Sequence, residues 1–144
     1  MEIHDILGYL LNTSARLIKR KMDYELERYD ITTSQWAVLK LLYSKTELSQ
    51  AQISDELMSD RATIGTVIFK LLDKGLIKKN LDPADRRSYA VCLTRKSKDI
   101  VKEIENKVEK VTEAALKGMT KSDIDRLFRS LNSIINNLSE EGLK

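Results

Sequence analysis

The sequence predicts a mainly α-helical fold with one small β-hairpin, and three observations support this. The chain has 144 residues but only five Gly and one Pro, too few for the many turns of a β-rich fold. Apolar residues recur at helical spacing along most of its length. The spacing changes to the alternation of strands over residues 76–93. Because 42% of the residues are hydrophobic, the chain can bury a core and form one domain.

The first two predicted helices lie before residue 45. Residues 5–29 carry Leu and Ile at helical spacing, which predicts a long first helix. Thr32 and Gln35 have the spacing of a capping box, in which each side chain bonds the backbone N–H of the other residue. A second helix, Ser34–Ser44, is therefore predicted, with Trp36 on its apolar side.

Two shorter helices are predicted next. Ser49 and Gln52 form another capping box, which opens a third helix that ends near residue 58. Asp60 is placed to cap a fourth helix over residues 61–74, and Gly75 is placed to end it. The apolar side of this fourth helix consists of Ile64, Val67, Ile68, Leu71 and Leu72.

The rest of the chain is predicted to be a hairpin and two helices. Leu76–Asn80 and Ser88–Leu93 have strand patterns, and the segment Asp82–Asp85 between them has Pro at the second position of a turn. Thr94 is placed to cap a long helix that reaches about residue 117. Thr120 is placed to cap a last helix, which is amphipathic.

The first and last helices have apolar sides that need a partner. They stand at opposite ends of the sequence, and pairing across a two-fold axis would cover both. The sequence therefore favours a homodimer, and a monomeric bundle in which these helices pack only on their own chain is the alternative.

Composition argues against several classes of protein. No apolar run exceeds five residues, so no membrane span is expected. The N-terminal residues lack the basic start of a signal peptide, which favours a cytoplasmic protein. One Cys and one His exclude an internal disulfide and disfavour a metal centre, so we expect no metal or cofactor. No nucleophile–base pair or phosphate-binding glycine loop is present, so an enzyme is not expected.

The positive charge is concentrated in one segment. The net charge of the chain is +3, while residues 49–98 alone hold ten basic against six acidic side chains and the rest of the chain is close to neutral. A local basic surface attracts phosphate through counterion release and long-range steering. Solvated Lys and Arg on helices are the alternative explanation of the same charge.

The order of elements in this basic segment indicates nucleic-acid binding. Two short helices joined by a tight turn, 49–58 and 61–74, fit a helix-turn-helix, whose second helix enters the major groove of DNA. The hairpin that follows carries Lys78-Lys79 and Arg86-Arg87. A strand pair in that position forms a wing, and an Arg at its tip can enter a narrow minor groove.

These residues resemble a known family. The sequence QISDELMSDRATIGTVIFKLLDKGLI, followed by DPADRRSYAVCLTRKSKDIV, is similar to the winged helix of the multiple-antibiotic-resistance regulator (MarR) family. Residues 31–42, ITTSQWAVLKLL, resemble the second helix of that family. The anchors of the resemblance are Thr63, Leu71, Gly75-Leu76-Ile77, Asp82, Asp85-Arg86-Arg87 and Leu93-Thr94.

The resemblance implies a fold and a function. It implies a winged helix-turn-helix DNA-binding domain at 31–95, an N-terminal dimerisation helix at 1–30 and C-terminal dimerisation helices at 96–144. It also implies a homodimeric transcription factor, usually a repressor, on a palindromic operator. Two-fold symmetry would place the recognition helices in major grooves about 34 Å apart.

The candidate DNA-binding residues lie on the two helices of the motif and on the wing. Arg61 and Lys70 have the chemistry to reach phosphate or guanine, and Thr63 and Thr66 to bond phosphate or touch a thymine methyl. Arg86 matches the wing-tip arginine of the family, and Asp82 or Asp85 is expected to orient it through a salt bridge. A hairpin clamp without DNA contact is the alternative for the Asp85–Arg86 pair. The full set of candidates is Ser49, Gln50, Arg61, Thr63, Gly65, Thr66, Lys70, Arg86 and Arg87.

One position departs from the family pattern. Many relatives carry Thr-Arg where this chain has Gly65-Thr66. A glycine inside a helix costs about 1 kcal/mol relative to Ala, and it removes a side chain from the reading side. We therefore expect either a closer approach of the backbone to DNA with altered base specificity, or weaker specificity.

The family commonly responds to small anionic aromatics, oxidants or zinc. Zinc is disfavoured because His4 and Cys92 cannot fill a tetrahedral site without several carboxylates. The family's oxidant sensors carry their thiol in the N-terminal helix, so Cys92, on the second strand, is expected to be an ordinary strand residue.

A small-molecule effector remains open. Family pockets lie between the dimerisation helices and the winged helix, and the candidates there are Arg16, Tyr24, Trp36, Lys40 and Tyr43. Arg16 would pair with a carboxylate while the aromatic side chains stack on a ring. The alternative, which the sequence favours, is that Trp36 and Tyr43 are core residues and Arg16 is a surface residue.

The main rival function is a winged helix that docks a protein partner. The basic wing argues against it, because protein-binding surfaces favour aromatic and apolar anchors. Salt dependence separates the two, since binding to phosphate weakens steeply as salt rises.

Overall fold

The structure, a computed structural model, describes residues 1–82 and 85–139, with the side chains of residues 82–88 outside that description. It is mainly helical with one small sheet, as the sequence predicts. The elements are α1 (Leu7–Leu26), α2 (Thr33–Lys45), β1 (Glu47–Ser49), α3 (Gln50–Glu56), α4 (Arg61–Asp73), β2 (Ile77–Asp82), β3 (Asp85–Leu93), α5 (Arg95–Ala115) and α6 (Lys121–Ser139).

The helix starts follow the local chemistry of their capping residues. The Thr32 side chain accepts a hydrogen bond from the backbone N–H of Gln35 at 3.1 Å, and the Gln35 amide oxygen accepts one from the N–H of Thr32 at 3.2 Å. The same reciprocal bonds join Ser49 to Gln52 at the start of α3. These boxes satisfy N–H groups that would otherwise lack partners, so both predicted boxes are confirmed.

The sheet has one strand more than the sequence predicts. The strand order is β1-β3-β2, with β3 paired antiparallel to both neighbours. In this register Val91 of β3 lies between Leu48 of β1 and Lys79 of β2. Three-residue β1 is too short for a periodic signal, and its partner lies some 40 residues later, so local pattern could not reveal it.

The end of α4 and the start of α5 meet at one junction. Gly75 has a φ of 72°, the left-handed conformation that favours glycine. The N–H of Leu76 then donates to the carbonyl of Leu71 at 3.0 Å, which closes α4 and starts β2. The Thr94 hydroxyl donates to the Gly75 carbonyl at 2.9 Å. Thr94 therefore ties the start of α5 to the end of α4, whereas the sequence predicted only a cap for its own helix.

The core lies within residues 1–111, one of two units into which the chain divides. Its fully buried side chains come from helices α1–α5 and from β3, and they are Leu26, Val38, Leu39, Leu42, Ile53, Ile68, Leu71, Val91, Ser97, Val101 and Ile104. Lys40 of α2 forms an ion pair with Glu105 of α5 beside this core. Tyr29 lies just after α1. Its burial, and a hydrogen bond with Glu103, raise its pKa.

The first and last helices leave many of their apolar side chains exposed or half-buried. In α1, Leu10 and Leu17 are 44% and 48% exposed, and only Met22 and Leu26 are buried. The second unit, residues 112–144, contains α6, whose described residues include none that is buried; Phe128 and Leu138 are both exposed. Among the described residues, no helix combines the length and the apolar character needed to cross a bilayer.

Leu71→Ala tests how strongly the core holds α4. Leu71 is fully buried, so the truncation should lower the free energy of unfolding by about 2–5 kcal/mol. Urea denaturation at a fixed protein concentration measures the change. Leu81, on β2, is 57% exposed, so Leu81→Ala is the control and should change stability by less than about 0.5 kcal/mol. Similar losses in the two variants would contradict the burial of this side of α4.

Candidate nucleic-acid interface

Helices α3 and α4 form a helix-turn-helix whose turn is held by backbone bonds. Met58 adopts a φ of 53°, the left-handed conformation, and reverses the chain after α3. The N–H of Ser59 donates to the carbonyl of Ser54 at 3.0 Å, and the N–H of Met58 to that of Asp55 at 3.2 Å. These bonds satisfy the C-terminal carbonyls of α3, so the predicted tight turn is formed.

Asp60 fixes the first turn of α4. Its Oδ1 accepts a hydrogen bond from the backbone N–H of Thr63 at 2.7 Å, and its Oδ2 accepts the Thr63 hydroxyl at 2.8 Å. Both bonds stabilise the carboxylate, and the backbone bond is the larger cause of the lowered pKa of Asp60. The predicted cap is confirmed, and it fixes the first turn of α4.

The buried side of α4 determines which of its side chains face solvent. Ile64, Val67, Ile68 and Leu71 are all buried. The candidates predicted on this helix are exposed, namely Arg61, Thr63, Thr66 and Lys70. With about 100° between successive residues, Arg61 lies on the side of α4 near Gly65, and Lys70 lies on the opposite side.

Gly65 faces α3, and its place is taken by the side chain of Gln50. A Cβ at Gly65 would lie 3.0 Å from Nε2 of Gln50. That Nε2 donates a hydrogen bond to the carbonyl of Arg61 at 2.9 Å, so Gln50 crosses the first turn of α4. The glycine therefore accommodates a bond between α3 and α4, a role that the sequence interpretation, which left open a closer approach to DNA or a weaker specificity, did not include.

The two candidate threonines of α4 already use their hydroxyl protons. The Thr63 hydroxyl donates to Asp60, and the Thr66 hydroxyl donates to the carbonyl of Ala62 at 3.2 Å. A hydroxyl has one proton to donate, and phosphate oxygens only accept. In this arrangement neither hydroxyl has a proton left to donate to a phosphate.

The wing presents two lysines on β2. Lys78 and Lys79 are exposed, and Nζ of Lys79 lies 4.4 Å from the centre of the Tyr89 ring on β3. This cation–π contact holds one of the two charges against the sheet. The backbone of β2 pairs with that of β3 up to Asp82 and Asp85, but the side chains of Asp82, Asp85, Arg86 and Arg87 lie outside the described residues.

The five candidate effector residues have different surroundings. Trp36 is buried in the core, and Lys40 pairs with Glu105 and lies 5.5 Å from the ring centre of Tyr43. Arg16 is exposed on α1. Tyr24 is 75% exposed and lines a surface groove of about 480 Å³. The other residues that line this groove are mostly charged, Lys19, Asp23, Glu27, Asp30, Ile31, Thr32 and Lys74.

Cys92 lies on β3, the central strand of the sheet, and is half-buried. It is paired in register with Glu47 of β1 and Lys78 of β2. Over the part of the chain that the structure describes, no three His, Cys, Asp or Glu residues come together as metal ligands.

One exposed residue of α4 was missed by the sequence reasoning. Phe69 is 70% exposed and lies on the same side of the helix as Thr66. The signal was present, because Phe69 falls outside the apolar spacing of its neighbours Val67, Ile68 and Leu71. An aromatic residue outside that spacing is an unusual choice for a solvated surface.

Gly65→Ala tests the contact with Gln50. Alanine should stabilise the helix by about 1 kcal/mol, but in the native background its Cβ displaces the Gln50 amide and offsets part of that gain. In a Gln50→Ala background the full gain should appear. Thermal or urea unfolding of the two single variants and the double variant measures the difference. An equal effect of Gly65→Ala in both backgrounds would show that the contact contributes nothing.

Asp60→Asn tests the cap through its pH dependence. The pKa of Asp60 is lowered in the folded state, so its stabilising effect is full above the unfolded pKa of about 3.9 and is lost as pH falls through the folded pKa. The stability difference between the native protein and Asp60→Asn should therefore shrink as pH is lowered below about 4. Urea midpoints from pH 7 to pH 3 measure it, and a difference that stays constant would contradict the assignment.

Known proteins share the fold and the family signature. Residues 31–89 match the model of the MarR family. A SlyA-like transcription regulator from Listeria monocytogenes is 24% identical, with a TM-score of 0.87 over 99% of this chain and 93% of that one. MepR from S. aureus, solved as a complex with DNA, is 23% identical, with a TM-score of 0.84 over 92% of this chain and 98% of that one.

A third structure adds a ligand to the comparison. BpsR from Bordetella bronchiseptica, whose DNA binding is regulated by 6-hydroxynicotinic acid, is 23% identical, with a TM-score of 0.85 over 93% of this chain and 96% of that one. At these identities the structural matches establish the fold, and the match over residues 31–89 establishes the signature. This chain therefore shares the fold of these three proteins, and its residues 31–89 match the model of the MarR family.

Proposed function

We propose that this protein is a sequence-specific, double-stranded DNA-binding regulator of transcription that acts as a homodimer on a palindromic operator. The observation that carries the proposal is α4. Its apolar side is buried in the core, and the rest of its surface presents Arg61, Thr63, Thr66 and Lys70 to solvent. A helix held in this way by its neighbours can be inserted as a rigid body into a major groove.

The dimensions and charges of α4 suit that groove. Its 13 residues span about 20 Å, and a helix fits the width of the major groove. Arg61 and Lys70 lie on opposite sides of the helix, where each cation faces the phosphates of one strand. Ser49 and Gln50 lie at the start of α3, beside the first turn of α4, and we propose that they contact phosphates of the DNA.

The wing supplies the second contact. We assign the minor groove to Arg86, with Arg87 as an additional cation and Asp82 or Asp85 as the partner that orients the arginine. The support is the antiparallel pairing of β2 with β3, which carries the chain out to these residues and back, and the exposed Lys78 and Lys79 on β2. A narrow minor groove is electronegative and attracts inserted Arg.

The homodimer is proposed from the uncovered apolar side chains. Apart from Met22 and Leu26, those of α1 and α6 are exposed or half-buried in the single chain, and a second copy would remove them from water. The corresponding division is an N-terminal dimerisation helix at 1–30, a DNA-binding domain at 31–95 and C-terminal dimerisation helices at 96–144. The two copies of α4 would then face successive major grooves.

Repression and release by a small aromatic or anionic ligand complete the proposal. The support is the similarity to BpsR, whose DNA binding responds to 6-hydroxynicotinic acid. Arg16, Tyr24, Lys40 and Tyr43 are the proposed ligand residues, and Trp36 would act from the core side. Lys40 must leave Glu105 to meet an anion. The protein is proposed to be cytoplasmic and without catalytic activity.

Fluorescence anisotropy tests the central claim. The protein is titrated into a labelled duplex from upstream of its own gene and, separately, into a scrambled duplex, both near 0.15 M salt. We expect tighter binding to the native fragment and an affinity that falls steeply as salt rises, because each neutralised phosphate releases counterions. Equal binding to both duplexes, or an affinity insensitive to salt, would contradict DNA reading and favour a surface that docks a protein partner.

Arg86→Ala tests the wing. Removal of an arginine from the minor groove should weaken binding to the preferred duplex by roughly fivefold or more, and the salt dependence should become shallower by about one counterion. Size-exclusion chromatography should show an unchanged oligomeric state. Lys102→Ala removes the same charge from α5 and is the control, with an expected affinity close to that of the native protein. Unchanged binding by Arg86→Ala would remove the minor-groove role.

A further inference from the structure

The side of α4 that points furthest from the core carries apolar groups. With 100° between successive residues, Ala62, Thr66 and Phe69 align on one line opposite the buried side. All three are exposed, and Phe69 is 70% exposed. We call these three residues the outer line of α4.

Thr66 belongs to the outer line through its methyl group. Its hydroxyl donates to the carbonyl of Ala62, one turn earlier on the same line. The bond satisfies the hydroxyl proton within the helix, so Thr66 does not have it available for a phosphate or a base acceptor. The outer line therefore consists of an alanine methyl, a threonine methyl and a phenyl ring.

Charges border the outer line on three sides. Arg61 and Lys70 lie on the two sides of α4, and Asp73 follows Phe69 one turn later on the same line. The two cations attract phosphate, while the carboxylate of Asp73 repels it. The polyanion is thus directed to the part of α4 that precedes Asp73, where the apolar groups are.

The base edge that matches this chemistry is thymine. Its C5-methyl group is an apolar feature of the major groove, and Ala, the Thr methyl and Phe are the side chains that contact it. We infer that the outer line of α4 reads thymine methyl groups, and that Phe69 is a specificity-determining residue. This inference rests on the proposed function and adds to it the chemical class of DNA site that the protein selects.

The length of the outer line predicts the size of the thymine-rich segment. Ala62 and Phe69 are seven residues apart, which is about 10 Å along the helix axis. That distance corresponds to about three base pairs at 3.4 Å each. Each half-site should therefore contain at least two thymines within three or four consecutive base pairs, on either strand.

Thymine-to-uracil substitution is the direct test, because deoxyuridine lacks only the C5-methyl group. The preferred duplex is first selected by the native protein from a random pool. Each thymine is then replaced by deoxyuridine, one position at a time, and the Kd is measured by anisotropy. At two or more positions per half-site the native protein should bind about three- to fivefold more weakly, the change expected for one buried methyl group.

Matched variants assign the methyl groups to residues. Thr66→Ser keeps the hydroxyl and removes only the methyl, and Phe69→Ala removes the ring. Each should weaken binding to the thymine duplex and abolish the thymine-to-uracil difference at one position, with Phe69→Ala costing at least about tenfold. Lys70→Ala is the control on the same helix. It should weaken binding to thymine and uracil duplexes alike, because it contacts phosphate.

Each outcome has a distinct meaning. A duplex that is selected and bound tightly, but is insensitive to uracil at every position, overturns the inference and leaves the proposed function standing. The same conclusion follows if Phe69→Ala and Thr66→Ser keep the full uracil sensitivity. If no duplex is selected above a random pool, the proposed function fails and the inference fails with it, and the exposed Phe69 then belongs to a protein contact.

Discussion

The burial of one side of α4 is the constraint on which the rest of the site depends. Ile64, Val67, Ile68 and Leu71 pack into the core, so the rotation of the helix about its own axis is fixed by hydrophobic burial. The side that faces solvent then follows from helical geometry alone. The cap at Asp60, the bond from Gln50 and the closure at Gly75 hold the two ends of the same helix. The exposed chemistry of α4 is thus set largely by contacts within the protein.

Most of the fold could be predicted because its signals are local. A capping box such as Thr32 with Gln35 involves two residues in one turn, and the apolar spacing of α4 is complete within 13 residues. The third strand could not be predicted, because three residues show no period and the pairing partner lies far along the chain. The second bond of Thr94, to Gly75, is likewise a contact between distant segments.

The same distinction between local signals and contacts of distant segments holds for the candidate site. Residue type and helical spacing were enough to predict that Arg61, Thr66 and Lys70 lie on the exposed surface of α4. They could not predict the contact of Gly65 with Gln50, because Gln50 comes from another helix. Nor could they predict which groups the threonine hydroxyls would bond. The effector residues were the least predictable. Lys40 meets Glu105, which is 65 residues away in the sequence, and a pattern within one segment cannot show such a pair.

The bond between Thr94 and Gly75 has a mechanical consequence. One carbonyl at the end of α4 is held by the residue that precedes α5, and the N–H of Thr94 also donates to the carbonyl of Leu76, at the start of the wing. The end of α4, the start of β2 and the start of α5 are therefore joined through Gly75, Leu76 and Thr94. A tilt of α5 would carry the end of α4 and the base of the wing in the same direction. The two parts that we propose to contact DNA would then be displaced together, so both contacts would be lost or gained together.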